Sequence, residues 1–248
     1  MSITQRWGSL AFLIAALGSG LATAAEPLEL SETELFFELN DTDGDLGIHA
    51  SIDGGPYSEL EIEDPRGRTV LAIEARRHLR RQGLTQLFME SAEPSFDELS
   101  PETFFRRFPE GVYTIEAERG RQEVEVEVEL SHVLASPPPN VTVNGIPAAE
   151  SCDAGDLPLV LAPVVVDWDP VTESHPELGR PGPVEIVRYQ FFAEQEDTKF
   201  AVDLPPTVTE FEVPLAITAE GGEFKFEIIA RTSALNNTAI ESCFLVAE

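Results

Sequence analysis

The sequence predicts an all-β protein, with a seven-stranded sandwich in its second half and a mostly-β domain carrying one short helix in its first. Three observations predict it. Apolar-rich runs of strand length recur at 164–168, 185–193, 200–204, 210–213, 224–231 and 239–246. Turn-forming pairs punctuate them, among them Asp169-Pro170, Pro205-Pro206, Gly221-Gly222 and Asn236-Asn237. Strands at this spacing each cover one face of a shared core, as a sandwich requires. In the first half, 123–130 (EVEVEVEL) alternates without a break. Val124, Val126, Val128 and Leu130 then face a core, and four glutamates face water.

The N-terminus is read apart from the fold. Arg6, an apolar run over 10–17 and the small residues Ala22-Thr23-Ala24 form a secretory signal, cut after Ala24 or Ala25. No cysteine near the cut suggests a lipid anchor, and no later stretch has the ~20 apolar residues of a membrane-spanning helix. The expected product is exported, to the periplasm or the medium, without membrane insertion. Pro137, Pro138 and Pro139 favour extended geometry and mark a semi-rigid joint. They divide the chain into a signal (1–25), an N-terminal domain (26–135), a linker (136–139) and a C-terminal domain (140–248).

Charge narrows the partners. The chain has 45 acidic and 16 basic residues, a formal net charge of −29. Both halves share it: 26 acids against 10 bases over 26–136, and 19 against 5 from Pro137 onward. Phosphate backbones and anionic lipid surfaces are repelled by such a surface, so nucleic acid is not an expected partner. A protein or glycan is. The plainest role of the charge is solubility.

In the first domain, 34–39 reads as a strand, 40–47 as an acidic turn and 48–52 as the next strand. Residues 60–63 and 69–73 follow as strands around the turn Asp64-Pro65-Arg66-Gly67. The apolar spacing over 84–90 fits neither period cleanly. Ser100-Pro101-Glu102 supplies an N-cap, a proline at the first helical position and an acid in the first turn, so a short helix runs to Arg107. Strands at 112–117 and 123–130 close the domain. The glutamates of the last strand guard an edge against pairing with other chains.

The second domain resembles a fibronectin type III module over roughly 139–247. Trp168, in Val165-Val166-Asp167-Trp168-Asp169-Pro170, stands where the family keeps its core tryptophan. Tyr189 stands at the aromatic position of the third strand, and Phe226 lies in the sixth. The resemblance implies a binding or spacing module without chemistry of its own. Phe224 and Phe226 occupy the place of the family's corner tyrosine, so that hydroxyl-to-backbone bond is not expected there. The whole chain also resembles exported bacterial proteins that join a β-rich region to one such module, carried by 39–53, 81–94 and 107–113; this implies architecture only. Cys152 flanks the start of the sandwich and Cys243 lies in its last strand. In an exported protein such a pair is a disulfide candidate.

Few residues suggest a site. Asp41, Asp43 and Asp45 alternate in a turn, as the oxygen ligands of a Ca²⁺ loop often do, although the positions that would be Gly and Glu in an EF-hand are Leu46 and Ile52. No other cofactor is implied. Arg76, Arg77, Arg80, Arg81, Arg106 and Arg107 read either as a carboxylate or phosphate grip or, in so acidic a chain, as partners for nearby glutamates. The four histidines show no metal-ligand spacing, and no nucleophile elbow or phosphate loop occurs. Asn40, Asn140 and Asn236 head Asn-x-Thr sequons. The expected function is a non-catalytic exported binding or scaffolding protein. The alternatives are calcium-dependent adhesion through Asp41–Asp45 and an accessory of an extracellular polysaccharide-active enzyme.

Overall fold

The computed structural model describes residues 27–247; the signal-peptide reading falls outside them. The first half contains strands β1 (Leu30–Asn40), β2 (Asp45–Tyr57), β3 (Glu59–Glu63) and β4 (Thr69–Glu74), helix α1 (Arg77–Gln82), β5 (Leu84–Glu90), α2 (Pro101–Arg107), β6 (Gly111–Arg119) and β7 (Gln122–Leu130). The second half adds three short strands, β8 (Thr142–Val143), β9 (Ile146–Pro147) and β10 (Leu159–Val160), then β11 (Val164–Asp167), β12 (Ile186–Gln195), β13 (Thr198–Leu204), β14 (Glu210–Val213), α3 (Leu215–Thr218), β15 (Gly222–Thr232) and β16 (Asn237–Val246).

Alternation builds two cores. In β1 and β2, Leu35, Phe37, Leu39, Ile48, Ala50 and Ile52 point inward against Leu60, Ile62, Tyr113, Ile115 and Leu130 of β3, β6 and β7. In the second half, Phe191, Phe224, Phe226 and Phe244 meet Val143, Val164, Val166 and Val213 across the sandwich. Trp168 packs edge-on to Tyr189, 5.4 Å between centroids, and both are buried, so these aromatics serve packing. The strand order repeats. One sheet of the first half runs β4-β3-β6-β7 and its other strands run β1-β2-β5; the second half has β13-β12-β15-β16 and β14-β11-β8. Each half places a helix, α2 or α3, just before its sixth main strand. The sequence reading saw this arrangement only in the second half. In the first half Tyr113 also makes a corner bond, its hydroxyl donating to the Pro109 carbonyl at 3.1 Å. The second half lacks that bond, and the Tyr189 hydroxyl instead accepts from the Val171 amide at 2.9 Å.

The two halves share a sheet. β1 pairs parallel with β16, Glu38 to Asn40 against Asn237 to Ala239, giving the continuous order β13-β12-β15-β16-β1-β2-β5, with β10 added on β16. The pairing removes two exposed strand edges at once. The proline joint does not stand free beside it. Ser136 donates to the Glu173 carbonyl and Pro139 accepts from the Asp169 amide, each at 2.9 Å, and Pro138 is buried.

One side chain ties the seam together. Asn236 is fully buried; its carbonyl oxygen accepts from the Phe37 amide at 2.9 Å. Its amide donates to the Ser131 and Val133 carbonyls at 2.8 and 3.0 Å. Burial removes Asn236 as an acceptor of glycan in the folded state. A loop of the second half docks beside it. His175 meets Asp41 at 2.8 Å, Arg180 meets Glu110 at 2.8 Å, and Leu178 packs on the first core. Gly179 (φ +70) brings this loop so close that a β-carbon there would lie 2.1 Å from the His132 carbonyl oxygen.

Cys152 and Cys243 are joined, 91 positions apart. Replacing both by serine is expected to lower unfolding free energy by about 4 kcal/mol in urea titrations, through the longer loop released in the unfolded chain. Asn236→Ala strands three buried backbone groups and is expected to cost roughly 3 kcal/mol, read in the same titration. A change below about 1 kcal/mol would show that water or rearrangement satisfies those groups.

Candidate functional site

The outer face of the shared sheet is where both halves contribute to one surface. There β12, β15, β16, β1, β2 and β5 line a groove of about 360 Å³. Its floor holds Phe36 and its far wall Phe88, which is 62 % exposed although it lies in a strand. Alternation explains both. Phe36 and Phe88 occupy the opposite register from the core residues beside them, Leu35 and Phe37 in β1 and Leu87 and Met89 in β5.

The cationic groups of the groove have fixed partners. Arg231 lies over the ring of Phe36 at 4.5 Å and reaches Glu34 at 2.6 Å. Arg188 pairs with Asp203 at 3.2 Å, and the His49 ring nitrogen is 2.8 Å from Glu93. Glu38 accepts from the Asn237 amide and Glu32 from the Ser51 hydroxyl, each at 2.7 Å. Glu90 is exposed; its backbone pairs with His49 in the β2–β5 ladder and its charge acts on the His49 ring, while among the described residues no ion pair or hydrogen bond engages its carboxylate.

Carboxylates crowd along the seam. Glu227 lies opposite Glu241 in the β15–β16 ladder, with the Lys225 ammonium 2.6 Å from Glu241 and 3.7 Å from Glu227. Burial, with the charges of Glu241 and Glu38 adding to it, pushes Glu227 up to about 7. Burial, Glu93 and Asp43 push Asp45 up to about 6. For His49, burial alone would lower the pKa, but its hydrogen bond to Glu93 and the charge of Glu38 win and raise it. Asp64 is held in the opposite direction. The Arg68 guanidinium and two backbone amides stabilise its ionised form and lower its pKa.

The candidates from sequence fall into place unevenly. Asp41 faces His175, Asp43 accepts from the Asn40 amide at 3.2 Å, and the Asp45 backbone forms an isolated β-bridge with Ser95. Among the described residues, the carboxylates that do converge within 4.8 Å are Glu116, Glu118 and Glu123, on the outer face of β6 and β7. They belong to a wider wall: Glu59 opposes Glu118, Glu61 opposes Glu116, and Glu125 opposes Glu116 from the other side. Of the arginines, Arg76 pairs with Glu74 and Arg80 with Glu59 and Glu74, while Arg106 reaches Glu102. The groove itself was missed. Its one local sign is an aromatic on the solvent register of a strand, at Phe36 and Phe88.

No family model and no curated protein matches the chain. Solved structures align over most of its length at low similarity. A bacterial ice-binding adhesin involved in host cell surface retention aligns at 13 % identity and TM-score 0.25, over 89 % of this chain and 65 % of that one. A tandem repeat from the extending region of a large adhesion protein gives 11 % and 0.26, over 87 % and 50 %. The human OSCAR ligand-binding domain gives 10 % and 0.25, over 85 % and 97 %. The chain therefore spans less than two thirds of the first two. Likeness at this level carries no function across.

The titrating groups set a pH dependence. Raised carboxyls bind protons in the folded state that the unfolded chain has released, and so does raised His49. All three contributions are present at low pH and are lost as pH rises through the folded values. Asp64 acts oppositely: its contribution is lost as pH falls below the ordinary carboxylate range. Thermal midpoints are expected to be highest near about pH 5 and to fall by roughly 5 °C by about pH 8. Glu227→Gln should flatten that fall. A midpoint rising over the same interval would contradict the assignment.

Proposed function

We propose that this chain is a non-catalytic exported protein, periplasmic or extracellular, that binds or scaffolds a protein or glycan through the groove across its shared sheet. Two units build it, 26–135 and a fibronectin type III-like 140–248, with 136–139 between them. The strand order of the second unit and the buried Trp168–Tyr189 pair support the fibronectin type III likeness. The disulfide supports an oxidising compartment outside the cytoplasm.

The observation that carries the reading is the β1–β16 pairing, which brings strands of both halves into one continuous sheet with an exposed aromatic at its rim. The groove's histidine and both of its arginines are held by carboxylates, an arrangement that presents a fixed shape instead of a reacting group. Aromatic side chains exposed on such a surface are common anchors of recognition. Benzoylphenylalanine placed at position 88 should photocross-link a discrete species from the native envelope or medium. The same probe at position 112, exposed on the first half's other sheet, should not. Equal labelling at both positions, or none at 88, would overturn the assignment.

A further inference from the structure

The groove contains its own template for what it binds. On β1, Glu34 and Phe36 stand two residues apart on one face, and a guanidinium occupies the pair: Arg231 is 4.5 Å from the Phe36 centroid and 2.6 Å from the Glu34 carboxylate. Two strands away, β5 repeats the pattern. Phe88 and Glu90 stand two residues apart on the groove face, and no cation of the described residues lies over Phe88. Phe88 meets His49 edge-on at 6.1 Å, which leaves most of the ring open to solvent. Arg188 and Arg231 cannot supply the missing charge without breaking the bonds to Asp203 and Glu34.

Resting on the reading above, we infer that the partner is a protein segment presenting an arginine, which seats its guanidinium on Phe88 and against Glu90. Arginine fits better than lysine, because a planar guanidinium stacks on a ring while its fork bonds a carboxylate. The four glutamates and two arginines of the groove leave it net negative, so the segment arrives with favourable charge.

The test uses the mature chain, 26–248, with a capped Val-Arg-Val-Arg-Val peptide and its Glu-for-Arg counterpart as probes. Amide chemical shifts are followed during titration. Saturable changes confined to β1, β2 and β5 are expected with the arginine peptide alone. Phe88→Ala and Glu90→Gln should each weaken binding about fivefold, whereas Glu125→Gln, on the glutamate wall, should leave it within about twofold. Equal weakening by all three variants would reduce the effect to diffuse attraction by an acidic protein and overturn the inference. So would binding of the glutamate peptide, or no shift at millimolar peptide. A species that cross-links at position 88 but is not displaced by the arginine peptide would sink this inference and leave the binding function standing.

Discussion

The structure depends on one parallel contact between its ends. Strands β1 and β16 meet over three residue pairs, and the buried amide of Asn236 secures them by binding Phe37 on one side and the exit of β7 on the other. So short a ladder would be weak alone. Its partners make it specific, because a buried amide left unpaired costs more than a paired one gains. Thr238 adds a bond to the Ala135 carbonyl at 3.0 Å, and Thr42 exchanges two bonds with the Glu241 backbone at 2.9 and 3.1 Å. Every group bonded here lies far from its partner in sequence, so the seam joins segments that the chain brings together only on folding.

A chain of net charge −29 must keep its carboxylates from opposing the fold. It does so in two ways. Some stand on outer strand registers, as on β3, β6 and β7, although even there burial and the nearby glutamates raise the pKa of Glu116. Some are tied by arginine, as Asp64 is by Arg68 and Glu110 by Arg180. The seam crowds them most. Glu227 and Asp45 are crowded and partly buried there, so they hold their protons to higher pH than free carboxyls do.

Much of the fold was legible from local pattern. The EVEVEVEL run, the Ser100-Pro101 helix start and the Trp168 and Tyr189 positions each carry their cause within a few residues. The ambiguous 84–90 run is a strand because β2 offers it a ladder, and α1 forms from an arginine-rich stretch whose side chains bury nothing. Strands β8, β9 and β10 are two residues each, too short for any period to register. The site was hardly legible. Asn236 reads as a turn or sequon residue, and nothing near it announces bonds across about two hundred positions. Phe36 and Phe88 look like core residues until register places them outside. Asp41 reads as a calcium ligand, yet its structural partner is a histidine far along the chain.

The central claim is that the two halves move as one body because a single sheet runs through both. Residual dipolar couplings of residues 27–247 test it most directly. The account predicts that one alignment tensor fits the amides of 27–134 and of 135–247 together. Two tensors of different magnitude or orientation would mean that the halves reorient independently, and the groove between them would have no fixed shape to offer a partner.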